Sequence, residues 1–537
     1  MSSLAPWLEP LLDADTARAA DSWAIEQRGV ASLDLMERAG AGVVRALERI
    51  AADGPVTVLC GKGNNGGDGL VVARLLREGG RQATVVCVAP PEEYVGDARV
   101  NLERLPGEQP LRLDGAPWTP GVEPTDAQQP VAAPALLDAQ AALVDALLGT
   151  GFAGAPRGAV ADAIAALNGA PAPVVSVDVP SGVDASTGEV RGVAVHASVT
   201  VTFHAAKPGL WIRPGKSYAG EVQTLDIGIP RGAPAASEIG LIAPAALLAL
   251  LPRRNASSTK FVSGHVLVAG GSRGLTGAPR MAAEASMRAG AGYVTACVPA
   301  SLQHILATAG PAEMMTRGLP DEDGSLVAQG VELVEQASAR GGALALGPGL
   351  GRAAGAVAFA RTLARAADVA LVLDADGLNA HAGRLGELAG RRAATVLTPH
   401  AGELGRLLGI DSAEVERARL HHVRTAAAQA DAVVVLKGDD TLIARPDGVL
   451  AVSRGDSPAL ATAGTGDVLT GVIAALLAQG LDAFTAAAAG VTLHAQAGRA
   501  AARRVGVAEG VIASDVITAL PAARRMVFDP RAQRQRP

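Results

Sequence analysis

Two series of short, β-rich apolar runs constrain this chain more than any other feature. The first comprises VTVLCG (56–61), TVVCVA (84–89), ALVDALLG (142–149), VVSVDVP (174–180), VTVTFHA (199–205) and VQTLDIGI (222–229). The pattern restarts after residue 258 with HVLVAGG (265–271), GYVTACV (292–298), GALALGPG (342–349), ALVLDADG (370–377), ATVLTP (394–399) and AVVVLKG (432–438). Helical stretches separate many of these runs, among them 69–78 and 158–168. Another, 14–52, precedes the first series, and 468–504, broken near Gln479-Gly480, follows the second. Apolar strands joined by helical crossovers predict an α/β chain with two mostly parallel sheets, each covered on both faces. The Pro-, Ala- and Ser-rich stretch 230–258 reads as a linker, which divides the chain into domains 1–245 and 246–537. Region 107–135 reads as a surface excursion, and the Arg-rich end, 524–537, as a solvated terminus.

Composition narrows the class of function. A net charge of −6 offers no basic field for nucleic acid or an anionic membrane. The longest apolar stretch, VLTGVIAALLA (468–478), is too short to span a bilayer, and the N-terminus lacks a signal-peptide pattern. Cys60, Cys87 and Cys297 form no CxxC or Cys/His cluster, so they read as small buried hydrophobes in a reducing, cytoplasmic protein. Aromatics are only 2% of residues, so cores must be built from Ala, Val and Leu. Five lysines (Lys62, Lys207, Lys216, Lys260 and Lys437) stand among 47 cationic residues.

In the first half, GKGNNGGDG (61–69) lies between a strand and the helix LVVARLLREGG, where free helix N–H groups favour an anion. It is neither a Walker A motif nor a dinucleotide fingerprint, and a plain turn has little need of Asn64, Asn65 and Asp68 together. Asp145 ends a strand before a Gly-rich loop, and Asp178 and Ser181 lie in VDVPSGVD. Three such loops converge beyond the carboxyl ends of parallel strands. Oxygen groups of Asn65, Asp145 and Ser181 suit a hard cation, and Asp178 is placed for proton transfer.

The motifs NNGGDG, DALLGTG and DVPSG, with AAKPGL…GEVQTLDIGIP (205–230), make residues 14–230 resemble the NAD(P)HX epimerase family. The resemblance implies a Rossmann-like αβα domain that interconverts the R and S configurations at C6 of hydrated NADH or NADPH. It implies that Asn64, Asn65, Gly66, Gly67 and Asp68, with Gly149, Thr150, Gly151, Phe152, Ala153, Gly154 and Ala155, hold the hydrated nucleotide. It further implies Asn65, Asp145 and Ser181 as potassium ligands and Asp178 at the reacting ring.

In the second half, ATAGTGDVLTGVIAALLAQG (461–480) carries a Gly-rich turn into a long helix. Its N–H groups make a hole for a transferred phosphoryl group, and Asp467 can accept a hydroxyl proton there. The structural reading of Asp467 is a helix cap. AVVVLKGDDT (432–441) sets Lys437 and Thr441 at a spacing suited to nucleotide phosphates, and LTPHAGE (397–403) sets His400 at a strand end. GGSRGLTGAP (270–279) and GPGLG (347–351) add two glycine loops.

The ordered set GGS, TGA, GPGLG, DADGLN, TPHAGE, KG..T and GTGD makes residues 259–520 resemble the ribokinase-like NAD(P)HX dehydratase family. That resemblance implies that Lys437, Gly438, Asp439, Asp440, Thr441 and Gly466 bind the nucleotide. It implies that Ala278, Gly349, His400 and Asp467 face the hydrated substrate, with magnesium on the nucleotide. Pro279 departs from the family's usual Ala, and STKFVSGH (258–265) is a loose version of its strand entry. Bacterial members use ADP, and the Arg- and Ala-rich fused chain looks bacterial, so ADP is the expected donor, leaving AMP and phosphate.

Together the resemblances imply a bifunctional metabolite-repair enzyme acting on NADHX and NADPHX, expected as a homo-oligomer. The rival readings are a ribokinase-type kinase with an accessory nucleotide-binding domain, and a first domain that only binds. Retention of Asp68, Asp145 and Asp178 argues against the latter.

Overall fold

The computed structural model describes residues 4–114, 116–118, 134–339, 341–455 and 457–526. Most of the expected surface excursion and the last eleven residues of the expected frayed end lie outside that set. The described chain opens with a three-residue strand, β1 (Leu8–Pro10), then the helices Ala14–Glu26 and Ser32–Ile50. It divides into two compact units, Pro10–Ser237 and the residues up to Glu9 together with those from Glu238 onward. The single cut drawn between 245 and 246 therefore differs from the observed division on two counts: the junction falls earlier, and the first residues belong with the last.

The first unit is built on β2 (Val56–Cys60), β3 (Ala83–Cys87), β4 (Ala142–Ala146), β5 (Val174–Val177), β6 (Val199–Phe203) and β7 (Glu221–Leu225). They form one sheet in the order β3-β2-β4-β5-β6-β7, and every neighbouring pair is parallel. Val, Leu and Ala fill its core, with Val43, Leu47, Val58, Leu70 and Val144 wholly buried. The next helix begins at Asn64, so Asn64–Asp68 form its first turns rather than a loop ahead of it. The reason is packing. A Cβ on Gly66 would lie 1.6 Å from the Gly61 carbonyl oxygen, so only glycine lets this helix start so close to its strand.

The second unit adds β8 (Ile239–Ile242), β9 (His265–Ala269), β10 (Tyr293–Pro299), β11 (Met315–Leu319), the small antiparallel pair β12 (Asp321–Glu322) and β13 (Ser325–Leu326), β14 (Ala343–Leu346), β15 (Ala370–Leu373), β16 (Thr395–Leu397), β17 (Val433–Leu436), β18 (Leu442–Ala444) and β19 (Leu450–Val452). Eleven strands make one sheet in the order β1-β8-β19-β18-β17-β16-β15-β14-β9-β10-β11. Its β17-to-β11 portion is parallel throughout, while β18 runs antiparallel to both its neighbours. The long helical stretch resolves into Thr465–Ala478 and Ala483–Val505, broken where expected.

The stretch read as a linker carries β8 and the helix Pro244–Leu248, with Ile242, Leu247 and Leu248 buried in the core. Its Pro and Ala content masked a short apolar strand. The β1 edge is anchored by Trp7, 3% exposed, whose ring centroid lies 5.2 Å from that of Phe484. The Trp7 carbonyl also accepts from the Ala243 N–H at 3.0 Å. Trp7→Ala should therefore cost about 3–5 kcal/mol in the second unit. Hydrogen exchange across β8 and β19 should accelerate, while β2 to β6 keep their protection.

Candidate functional site

At the carboxyl edge of the first sheet lies a cavity of about 920 Å³. Asn64, Asn65, Asp68, Gly149, Thr150, Gly151, Phe152 and Asp178 line it, and Gly66, Gly67, Ala153, Gly154 and Ala155 do not. Asp178 follows β5 in a left-handed conformation, φ 66°, and His204 on the same cavity has φ 63°. Such strain in non-glycine residues persists only where surrounding structure enforces it. The Lys207 ammonium, 3% exposed, stands 2.6 Å from Asp178 Oδ1 and donates to Thr202 Oγ1 and the Phe203 carbonyl, both at 2.9 Å. Thr202 Oγ1 donates to the same carboxylate oxygen at 3.1 Å.

Two more carboxyl groups share the cavity. Burial, then the charges of Asp178 and Asp21, push Asp68 well above the usual carboxylate range, against the pull of Lys207. Burial also raises Asp21, which reaches the cavity from the Ala14–Glu26 helix.

Beneath the Gly149 loop, Asp145 is wholly buried. Its carboxylate accepts from Ser181 Oγ at 2.5 Å, Ser176 Oγ at 2.8 Å, the Ser181 N–H at 2.9 Å and the Leu147 N–H at 3.3 Å. Ser181 Oγ accepts from the Leu148 N–H at 2.9 Å, and Asn65 Nδ2 donates to the Leu148 carbonyl at 2.9 Å. Asn65, Asp145 and Ser181 therefore do come together, around one peptide.

In the second unit, parallel strands present their loops along one edge. The helix Thr465–Ala478 is capped by Gly464 in a left-handed conformation, so Gly466 and Asp467 lie in its first turn. Lys437 directly follows β17 and places its ammonium 3.1 Å from Asp374 Oδ1 and 3.6 Å from Glu403 Oε2. Thr470 Oγ1 donates to the other Asp374 oxygen at 2.6 Å. Asp374, 2% exposed, thus ties Lys437 to the helix that carries Asp467. Burial works against the Lys437 ammonium, but Asp374, Glu403 and Asp467 hold it above the usual lysine range. Burial, then Asp374, push Asp467 up to about 7, against Lys437.

With this geometry in view, the similarities of the chain fall into place. A family model described as YjeF-related protein N-terminus matches residues 32–209, and one described as NAD(P)H-hydrate dehydratase matches 266–522. A Moorella thermoacetica protein named bifunctional NAD(P)H-hydrate repair enzyme Nnr is 42% identical over 510 residues, 93% of this chain and 94% of that one. A Salinibacter ruber protein of the same name is 42% identical over 529 residues, 95% of each chain. The chain belongs to the bifunctional NAD(P)H-hydrate repair enzyme family. It also resembles the crystal structure of the ADP/ATP-dependent NAD(P)H-hydrate dehydratase from Bacillus subtilis co-crystallised with ATP/Mg2+. That likeness has 28% identity, covers 53% of this chain and 97% of the other, and has a TM-score of 0.46.

The remaining positions that family membership draws attention to sort clearly. Ala278 and Gly349 are neighbours, since a Cβ on Gly349 would lie 3.1 Å from that of Ala278. His400 caps the helix Ala401–Leu408: Nδ1 accepts from the Gly402 N–H at 3.0 Å, and Glu403 Oε2 accepts from the His400 N–H at 2.9 Å. Its side chain is still 55% exposed, so capping does not bury it. In the loop after Lys437, Asp439 is exposed, while half-buried Gly438 packs against Arg419 and Asp440.

Two side chains of that loop turn inward. Asp440 is fully buried against Arg419, 1% exposed, whose Nε donates to Asp440 Oδ2 at 3.0 Å. Thr441 Oγ1 donates to the Gly438 carbonyl at 2.6 Å. Both side chains shape the loop from within. Asp440→Ala would remove the buried carboxylate beside Arg419, leaving it Glu416 and two carbonyls, and should destabilise the second unit by about 1.5–3 kcal/mol. A fall in the urea midpoint measures it, and an unchanged midpoint would remove the pair from that role.

Proposed function

We propose that the first unit epimerises R- and S-NAD(P)HX and that the second dehydrates the S form to NAD(P)H at the expense of ADP, releasing AMP and phosphate. The observation that carries this reading is the family relationship along nearly the whole chain, together with an acid–base centre at the carboxyl edge of each sheet.

Inverting C6 breaks and re-forms a bond at that carbon, so a proton must reach the departing group and another be taken up on re-formation. Asp68, with its raised carboxyl, is suited to donate. Asp178, paired with Lys207, is suited to accept. Asn64, Asn65, Asp68 and Gly149 to Phe152 hold the nucleotide around them. The oxygen-rich set of Asn65, Asp145 and Ser181 fits potassium, a hard monovalent cation that needs no carboxylate cluster. When bound there it supplies positive charge beside the Gly149 loop.

In the second unit Asp467 takes the C6 hydroxyl proton while the hydroxyl oxygen is phosphorylated. The first-turn N–H groups around Gly466, with Lys437, stabilise the transferred charge. Phosphate is a better leaving group than hydroxide, and its departure from C6, followed by loss of a proton from C5 to water, restores the dihydropyridine ring. Ala278, Gly349 and His400 position the hydrate. Among the described residues no group of three or more His, Cys, Asp or Glu side chains is arranged to hold a metal. That fits magnesium carried mainly by nucleotide phosphates and water, where it neutralises charge. The three cysteines are free and buried, which supports a reducing, cytoplasmic setting. No helix among the described residues is long and apolar enough to cross a membrane.

Racemic NADHX incubated with ADP, and separately with ATP, should regain full NADH absorbance with free phosphate released. The expected preference is for ADP. No recovery with either nucleotide overturns the reading, and accumulation of a stable phosphorylated product would indicate a kinase.

A further inference from the structure

A second, smaller cavity of about 150 Å³ opens in the second unit between the loop after β14 and the loop after β15. It has room for roughly five waters, enough for a phosphoryl group and too little for a nucleobase with its ribose. Gly351, Arg352, Asp376, Asn379 and Arg406 supply its polar wall.

The wall is an ordered network. Asp376 Oδ2 accepts from the Gly351 N–H at 3.0 Å, and Asp376 Oδ1 accepts from Arg352 Nε at 3.3 Å and Asn379 Nδ2 at 3.2 Å. Asn379 Oδ1 in turn accepts from an Arg406 guanidinium nitrogen at 3.3 Å. The residue that aims Asp376 is Ala375, held left-handed at φ 49°. The Asp376 carboxylate is matched by Arg352, whereas Arg406 bonds a neutral amide. The cavity therefore carries surplus positive charge, with two exposed guanidinium groups at its rim, each joined to the network by one hydrogen bond of 3.3 Å.

Position identifies the ligand. Gly351 lies two residues beyond Gly349, on the side of the sheet edge where the hydrate is placed. Lys437 and the Gly438–Thr441 loop follow β17, with β16 and β15 between that strand and β14. Asp376 also lies within electrostatic reach of Asp467. We infer that Arg352 and Arg406, aligned by Asp376 and Asn379, bind the diphosphate of the dinucleotide hydrate and so set C6 against Asp467. This rests on the dehydratase reading and assigns it a specificity-determining pair.

The test uses the full-length chain with Arg352→Ala, Arg406→Ala and the double variant. KM is measured for S-NADHX and S-NADPHX at saturating ADP, and for ADP at saturating hydrate. A charged hydrogen bond is typically worth one or more powers of ten in affinity, so the double variant should raise both hydrate KM values at least about ten-fold. The ADP KM should stay within about two-fold, and Arg406→Lys should recover part of the loss. A rise in the ADP KM alone would give the site to the co-substrate and overturn the inference. A rise confined to S-NADPHX would give it to the 2′-phosphate, with the same consequence, and unchanged KM values would also overturn it. Failure of the wild-type protein to convert any hydrate would instead overturn the functional reading on which the inference stands.

Discussion

Asp467→Asn is expected to reduce dehydration by about 10²- to 10⁴-fold, the usual contribution of a positioned general base, while leaving epimerisation at its wild-type rate. The wild-type enzyme should show the reason in its pH profile. Asp467 must be ionised to accept the hydroxyl proton, and its environment pushes it up to about 7. Dehydration should therefore fall about ten-fold per pH unit below that point and level off above it. Asp374 is the charge that raises Asp467 most after burial, so Asp374→Asn should move the limb toward lower pH. The pH series is read from NADH formation with S-NADHX in excess. Dehydration by Asp467→Asn within ten-fold of wild type would remove Asp467 from the chemistry.

The second large effect belongs to the first unit. With racemic hydrate, Asp178→Asn should convert the S half at the normal rate and leave the R half to spontaneous epimerisation. The biphasic time course measures both in one trace. Lys207→Met tests the pair from the other side. It removes the cation 2.6 Å from Asp178 and leaves a nearly buried carboxylate without its partner. Breaking such a pair typically costs about 3–5 kcal/mol, so the first unit should also lose stability in urea. If Lys207→Met retains full epimerisation, the ammonium is not required to hold Asp178 in its working state.

What the sequence disclosed follows from where the information sits. Parallel strands were visible because each is a continuous apolar run with a polar turn at its end, as in VTVLCG and AVVVLKG. The α/β architecture accordingly appeared as expected. The strands that escaped notice, β1, β8, β11, β12, β13, β18 and β19, have two to five residues each, too few to show a period. Motif order pointed to Asn65, Asp145, Asp178, Lys437 and Asp467, all of which the fold gathers at sheet edges. It gave no role to Lys207, Asp374 or Glu403, because an ion pair is made by groups far apart in the chain. Asp374 stood in the quoted DADGLN motif, and a strand-end carboxylate was the available signal. Asp21 had no such signal: it lies on an acid-bearing amphipathic helix, where a solvated charge is the ordinary reading. Asp440 and Thr441 also have inward partners, Arg419 and the Gly438 carbonyl, that the sequence does not display.

The short β1 strand has a consequence for how such a chain is made. Its position in the sheet is beside β8, which leaves the ribosome roughly 230 residues later, a wait on the order of 10 to 50 s at ordinary elongation rates. Throughout that interval Trp7 and Leu8 have no native partner while the intervening unit can already fold. The two catalytic units are thus not beads on a string: one is an insertion within the other. A gene split at the junction into two separately translated halves would leave the second half without the edge strand encoded at the start of the first.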